Sequence, residues 1–335
     1  MAGPPRTAPG PPAVAWPADA GGPILPGVAV IFLFVDGIGA GARDPAVNPL
    51  ARGDWLLSRF ADGSGSALPA GGRARLADAT LGVAGRPQSA TGQAALLTGE
   101  NAPAALGRHL VGFPNAPLRE LIDRRSLFRT LAGAGRRAEF ANAYPVAYLR
   151  ALGIACEGEP ELGLPRRRPR PSATTVAFRA GDGRFRTWGD ARAGRGLTPD
   201  ITGDRAAAHG LDLPRRSPEA AAELLLRLAE GADLSLFEFF ESDEAGHERS
   251  MERATAVLER LDRFLRALVA GLPRGGSLIV TSDHGNVEDL SVRNHTRNRV
   301  PVLGFGPAAD RVEEVADLTR LAPVLLDLAG APPSA

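Results

Sequence analysis

An aspartate and a histidine stand side by side at 283–284, just after the apolar run Leu278–Val280, and His295 precedes a second apolar run, Val300–Phe305. Carboxylate oxygen and imidazole nitrogen are the donors that a divalent ion of zinc or manganese type accepts. The arrangement recurs twice upstream. The run Val28–Val35 ends in Asp36, and Leu234–Phe240 leads into Glu241-Ser242-Asp243-Glu244-Ala245-Gly246-His247. A carboxylate placed where a buried strand stops lies at the edge where ligands of open α/β sheets gather. The chain has 5 histidines, and His247, His284 and His295 all fall inside these motifs, which scattered structural residues would not do. Asp36, Asp243, Asp283 and His284 therefore read as strand-end groups on one edge of a parallel sheet, with His247 and His295 in the adjoining loops.

The stretch Gly82–Gly99 (GVAGRPQSATGQAALLTG) adds a hydroxyl. Ala94-Ala95-Leu96-Leu97 has strong helical propensity and Gly99 ends it, so Ser89 or Thr91 sits near a helix N-terminus. Either residue is then an ordinary cap, or a nucleophile placed where backbone N–H groups favour a phosphate or oxyanion. Sequence position alone leaves the two residues and the two roles open. The glycines of Asp36-Gly37-Ile38-Gly39-Ala40-Gly41-Ala42 also fit a dinucleotide loop, but that motif needs a following helix. Arg43-Asp44-Pro45 and Asn48-Pro49 break helices, which disfavours that loop against the reading that takes Asp36 as the functional residue.

These groups require strands to carry them. Val28–Val35 has no polar alternation, the pattern of a strand buried on both faces in a parallel sheet. Leu278–Val280 and Val300–Phe305 read the same way, and Leu234–Phe240 reads as a further buried strand. Ser126–Pro145 is a short amphipathic helix, a glycine turn and a strand. Ser217-Pro218-Glu219 has the residues of a helix start, and Val257, Leu261, Phe264 and Leu268 recur at helical spacing in a helix of about Ser250 to Leu272. Asp317–Gly330 reads as a closing helix. The expected fold class is α/β: a mostly parallel sheet flanked by helices on both faces, with a small inserted cap. The domain expectation is a disordered Pro/Ala/Gly-rich tail at 1–26, a metal-binding core of 27–145 and 217–335, and a cap at 146–216. Within the cap, Ala173–Phe178 and Arg184–Trp188 flank Gly181-Asp182-Gly183, the signal of a β-hairpin. The run Arg166-Arg167-Arg168-Pro169-Arg170 is a solvated loop or an anion grip.

At 335 residues one large core with an inserted subdomain is the expected plan. A net charge of +1 gives no global reason to expect nucleic acid or an anionic membrane as partner. All 39 basic residues are arginine. The single Cys156 excludes an internal disulfide framework and fits a reducing compartment. No apolar run approaches the roughly 20 residues that span a bilayer. The first residues lack the basic start and apolar stretch of a secretory signal, so a cytoplasmic location is expected.

With the strand ending Val35-Asp36-Gly37-Ile38-Gly39, the DxxxH at 243–247, Thr281-Ser282-Asp283-His284-Gly285-Asn286, the later Asn294-His295-Thr296 and the tract SATGQAALLTG in place, the chain resembles the alkaline phosphatase superfamily. The likeness is to its metalloenzyme branch, which includes cofactor-independent phosphoglycerate mutase and phosphopentomutase. It runs from Val28 to Gly330 and is weakest in the cap. The resemblance implies two divalent ions, manganese or zinc: one on Asp36, Asp283, His284 and the Ser89 hydroxyl, the other on Asp243, His247 and His295. It also selects Ser89 over Thr91 as nucleophile, by the register of the family's segment counted from Gly99. Gln93 departs from the mutases, which carry histidine there, and no lysine is present to fill any family lysine's place. The implied reaction is phosphoryl transfer through a phosphoserine on a small phosphorylated substrate. A phosphohydrolase or phosphotransferase is the leading expectation, a phosphosugar or phosphoglycerate mutase the alternative, and a non-catalytic metal- or phosphate-binding protein the third. Asn48, Arg108, His109 and Thr296 are further candidates for substrate contact. The loop between His284 and His295 is expected to hold the two apart.

Overall fold

The computed structural model describes residues 30–158, 160, 169–208 and 210–332. The proline-rich start at 1–26 and Arg166, Arg167 and Arg168 of the arginine run lie outside the described residues. Strand β1 (Val30–Val35) is buried along its whole length and lies in the middle of a six-stranded sheet. Its alternate side chains divide the core. Val30, Phe32 and Phe34 enter one hydrophobic cluster, and Ile31, Leu33 and Val35 enter the other, as the two-residue period of a strand requires. The sheet order is β2-β8-β7-β1-β6-β3, with β2 at Arg73–Ala77, β3 at Ala138–Phe140, β6 at Leu234–Phe239, β7 at Ser277–Thr281 and β8 at Val300–Phe305. Strands β3, β6, β1 and β7 run parallel, whereas β8 pairs antiparallel with β7 and β2 antiparallel with β8.

Helices cover both faces. On the side of Phe32 lie α1 (Ser89–Thr98), α3 (Ala116–Arg125), α4 (Leu127–Gly133) and α12 (Leu321–Leu328), with the five-residue α2 (Ala102–Leu106) beside α1. On the side of Leu33 lie α9 (Pro218–Ala229) and α11 (Met251–Gly271). Ser217 and Ser250 cap these last two through their hydroxyls, and each such cap is worth about 1 kcal/mol. Val257, Leu261, Phe264 and Leu268 of α11 are all buried, which contributes roughly 1.5–3 kcal/mol apiece. Among the described residues no helix is long and apolar enough to cross a membrane.

The stretch 146–216 departs from expectation in one place. Ala173–Ala180 is a helix, α6, and not the first arm of a hairpin. Ser172 caps it, and Phe178 packs edge-on against Phe128 and Phe185 with ring centroids 5.2 and 5.1 Å away. Burial in the main core thus outweighs the β-branched composition of Thr174-Thr175-Val176. The Asp-Gly signal marks only a tight turn, with Asp182 at φ 55°. The rest of the stretch, α5 (Val146–Ala151), α7 (Trp188–Arg192) and α8 (Asp204–Ala208), adjoins a two-stranded parallel sheet of β4 (Ala143–Tyr144) and β5 (Arg186–Thr187). Ala143, Ala191, Ala206 and Leu213 form a small apolar cluster of their own there.

Candidate metal centre

The three parallel strands β1, β6 and β7 end side by side, and each delivers a ligand-type residue. Asp36 follows β1; Asp243 and His247 lie one turn apart on α10 (Glu241–Glu248), which starts where β6 stops; Asp283 and His284 follow β7. The i, i+4 spacing on a helix is what points Asp243 and His247 the same way. Gly37 must pass close beneath them. It has φ 74°, and a Cβ there would lie 2.7 Å from Asp243 Oδ1.

The side chains converge in two overlapping groups, Asp36–Asp283–His284 and Asp243–His284–His295, within each of which the donor atoms lie within 4.8 Å of one another. In the first, His284 Nε2 is 3.2 Å from Asp36 Oδ1 and 3.5 Å from Asp283 Oδ2. Ser89 Oγ is 2.9 Å from the same nitrogen. In the second, His295 Nε2 is 3.5 Å from Asp243 Oδ1. His247, expected in this group, is also close: its Nε2 lies 3.3 Å from Asp243 Oδ2 and 3.2 Å from His295 Nε2, on a side chain 46% exposed. The loop after β7 does not separate its two histidines. It stacks the His284 and His295 rings at 3.7 Å and 14°, because Gly285 and Thr296 pair as a β-bridge and make 284 and 295 neighbours.

These residues fit cations. Asp36 Oδ1 and Asp283 Oδ2 are buried carboxylate oxygens with no hydrogen-bond donor, a costly state unless a positive charge compensates it. Burial, followed by the charge of Asp243, raises the Asp36 carboxyl well above its ordinary value, and burial with the charge of Asp36 does the same to Asp283. For Asp243 burial also opposes ionisation, but the His247 hydrogen bond and the His284 and His295 charges win, and it falls to about 2. Burial, then the charge of His284, lowers His295 to about 4, which keeps its ring neutral and able to ligate near pH 7. His247 shifts up instead, through its hydrogen bond to Asp243.

Neighbouring groups orient the ligands. Gln93 Nε2 donates to Asp36 Oδ2 at 3.3 Å, the oxygen that does not face His284. Asn286 Nδ2 donates to Asp243 Oδ1 at 2.6 Å. His295 Nδ1 meets the Pro87 carbonyl at 3.1 Å, which leaves Nε2 facing Asp243. The Ser282 hydroxyl accepts from Ile38 N at 2.9 Å and donates to the His284 carbonyl at 3.0 Å, joining the β1 and β7 turns.

Ser89 is the first residue of α1, not its cap. Gln88 holds the cap position and makes no side-chain capping bond. Thr91 is fully buried; its hydroxyl donates to the Gln88 carbonyl at 3.2 Å and accepts from Leu110 N at 3.3 Å. A pocket of about 470 Å³ opens over Ser89, Asp243, His247 and His295, and Arg86, Gln88, Val111, Gly112 and Asn294 complete its lining. None of the described lining comes from 146–216. That stretch instead supplies Asp200, Asp204 and Arg205 to a groove of about 810 Å³ that His247 also lines.

The four residues expected to touch substrate are not brought into the Ser89 pocket. Asn48 is fully buried, accepts from Leu50 N and donates to the Ala42 carbonyl. The Thr296 hydroxyl donates to buried Glu288. His109 meets the Val83 carbonyl at 3.3 Å, and Arg108 is exposed outside the lining, although their loop supplies Val111 and Gly112. Arg86 and Asn286 were not singled out from sequence. Asn286 lies within the Asp-His-Gly-Asn motif, but its bond to Asp243 spans 43 residues.

Residues 208–333 match the family model described as the Metalloenzyme superfamily. A 2,3-bisphosphoglycerate-independent phosphoglycerate mutase of Cereibacter sphaeroides is 35% identical over 136 residues, 38% of this chain and 27% of that protein. A phosphopentomutase of Methylobacterium nodulans is 45% identical over 64 residues, 19% of this chain and 16% of that protein. The matched segments thus span about a quarter or less of these relatives' length. Among solved structures, the PH0037 protein of Pyrococcus horikoshii superposes with a TM-score of 0.52 at 15% identity, covering 92% of this chain and 98% of that one. The alkaline phosphatase of the Antarctic bacterium TAB5 gives 0.51 at 13% identity, covering 90% and 98%. At those identities the likeness is one of fold, and the fold is alkaline-phosphatase-like.

Proposed function

We propose that this chain is a two-metal phosphohydrolase that works through a phosphoserine on Ser89. The observation that carries the reading is the Ser89 hydroxyl 2.9 Å from the His284 nitrogen at which Asp36 and Asp283 converge. We divide the overlapping groups so that Asp36, Asp283, His284 and Ser89 hold one divalent ion, manganese or zinc, and Asp243, His247 and His295 the other. An imidazole nitrogen serves one ion at a time, and His284 is nearer the first pair of carboxylates. Residues 27–145 and 217–335 then form the metal-binding core, with 146–216 an insertion whose α6 packs onto it.

When bound, such ions lower the proton affinity of a hydroxyl in their reach and offset charge on phosphoryl oxygens. The chain's own part is positional. Gln93 and Asn286 fix the Asp36 and Asp243 carboxylates, and the uncapped first turn of α1 supplies a setting that favours a phosphoryl group beside Ser89. Ser89 Oγ bonds to phosphorus as the ester P–O bond breaks, and the leaving alcohol departs with a proton. Water then attacks the phosphoserine phosphorus, which restores Ser89 and releases inorganic phosphate.

The names of the relatives support a second reading, a phosphomutase, in which the phosphoryl group returns to another oxygen of the same molecule. A small soluble phosphate ester as substrate and a cytoplasmic setting go with either. The discriminating experiment is a panel of phosphomonoesters, phosphodiesters and sulfate esters with manganese and with zinc, read for both free phosphate and isomerised ester. Stoichiometric phosphate release supports the hydrolase; isomerised product without net phosphate replaces it by the mutase; no turnover of any ester refutes both.

A further inference from the structure

Three chain segments that carry the metal-type residues meet on one buried carboxylate. Glu288 is 1% exposed, and among the described residues it makes no ion pair. Its Oε2 accepts from Gly39 N at 2.9 Å and from Asn286 N at 2.7 Å. Its Oε1 accepts from Asn298 Nδ2 at 3.0 Å and from the Thr296 hydroxyl. The donors come from the turn after β1, the turn after β7 and the segment before β8, which are the segments holding Asp36, His284 and His295. The space admits nothing else: a Cβ at Gly39 would lie 2.3 Å from Glu288 Oε1, and one at Gly285 would lie 2.1 Å from Oε1 and 2.2 Å from Thr296 Oγ1.

Every partner of this carboxylate is a donor. Two of its four donors are backbone N–H groups that cannot reverse, and a carboxylate accepts all four bonds as they stand. Thr296 N also bonds the Gly285 carbonyl at 2.9 Å, so the clamp closes the loop whose ends stack His284 on His295.

We propose that Glu288 is a positioning residue that couples the two ligand groups, so that the ion held with His295 binds tightly only while Glu288 joins the three segments. The proposal rests on the two-ion reading above. Glu288→Gln keeps the shape but turns an NH₂ towards donors. Adding Asn298→Asp restores complementarity, since the amide nitrogen introduced at position 288 then donates to the carboxylate introduced at position 298 and the Thr296 hydroxyl rotates to accept.

The test is calorimetric titration of the metal-stripped full chain with Mn²⁺. Wild type is expected to bind two ions, Glu288→Gln to keep one and weaken the other by about 10–100-fold, the range for residues that support metal ligands, and the double variant to recover within a few-fold. Unfolding midpoints of the stripped proteins show whether each variant folds; if the single variant does not, recovery of folding and of two ions in the double variant carries the test. Wild-type affinity at both sites in Glu288→Gln overturns the proposal, as does a double variant no better than the single. A wild type that binds fewer than two ions overturns the two-ion reading itself, and the coupling with it.

Discussion

Glu238, on β6, gives a prediction whose size follows from the structure. It is buried opposite Phe34 of β1, and burial raises its carboxyl from the ordinary 4.5 to about 7. Its charge in turn contributes to the upward shifts of Asp36, Tyr144 and Tyr148, for each of which burial is the larger cause. Because the folded-state value lies above the unfolded one, the native state holds the proton more firmly. The group's contribution to stability is therefore complete below about pH 4.5, declines as pH rises to about 7, and is constant beyond. At about 1.4 kcal/mol per pH unit the loss is about 3 kcal/mol, a large share of the roughly 5–15 kcal/mol that typically stabilises a protein. Glu238→Gln removes the titration without removing much volume. Urea unfolding followed by fluorescence at pH 4.5, 6 and 8, on metal-stripped protein, should give near-equal stabilities at about pH 4.5 and a variant more stable by about 3 kcal/mol at about pH 8. The difference between variant and wild type cancels the other titrating groups. A difference that stays constant across the three pH values refutes the reasoning.

Two further substitutions probe the pocket. Gly92→Ala would place a Cβ 2.7 Å from the Asp283 carbonyl oxygen, so α1 must back away from the β7 turn. The expected results are about 1–3 kcal/mol of lost stability and about 100-fold lower turnover as Ser89 leaves His284, measured by denaturant melts and steady-state kinetics. Arg86 is the one arginine among the described residues lining the Ser89 pocket and is exposed, so Arg86→Ala is expected to raise KM for an anionic ester by about tenfold with kcat unchanged. A fall in kcat alone would contradict a binding role.

Much of the candidate metal centre is legible in the sequence because its cause is local. Asp36 and the Asp283-His284 pair follow apolar runs, Asp243 follows a strand in which Ser235 and Glu238 are the polar residues, and a buried parallel strand ends where its ligand-binding edge begins. The starts of α9 and α11 are equally plain from Ser217-Pro218 and Ser250. What was missed depends on contacts between distant residues. Ala173–Ala180 has strand-like composition and becomes a helix because Phe128 and Phe185 receive Phe178. The clamp at Glu288 bonds Gly39 across 249 residues, and no local pattern announces it. Thr296 looked available to a substrate from its place in Asn-His-Thr, yet that clamp engages its hydroxyl.

The most direct measurement is acid-quenched trapping of the phosphoenzyme with a ³²P-labelled phosphomonoester in the presence of manganese, followed by peptide mapping. Label on Ser89 in the wild type, and neither label nor turnover in a Ser89→Ala variant that still folds and takes up metal, is the predicted result. Normal turnover in that variant, or label on a residue other than Ser89, would contradict the account.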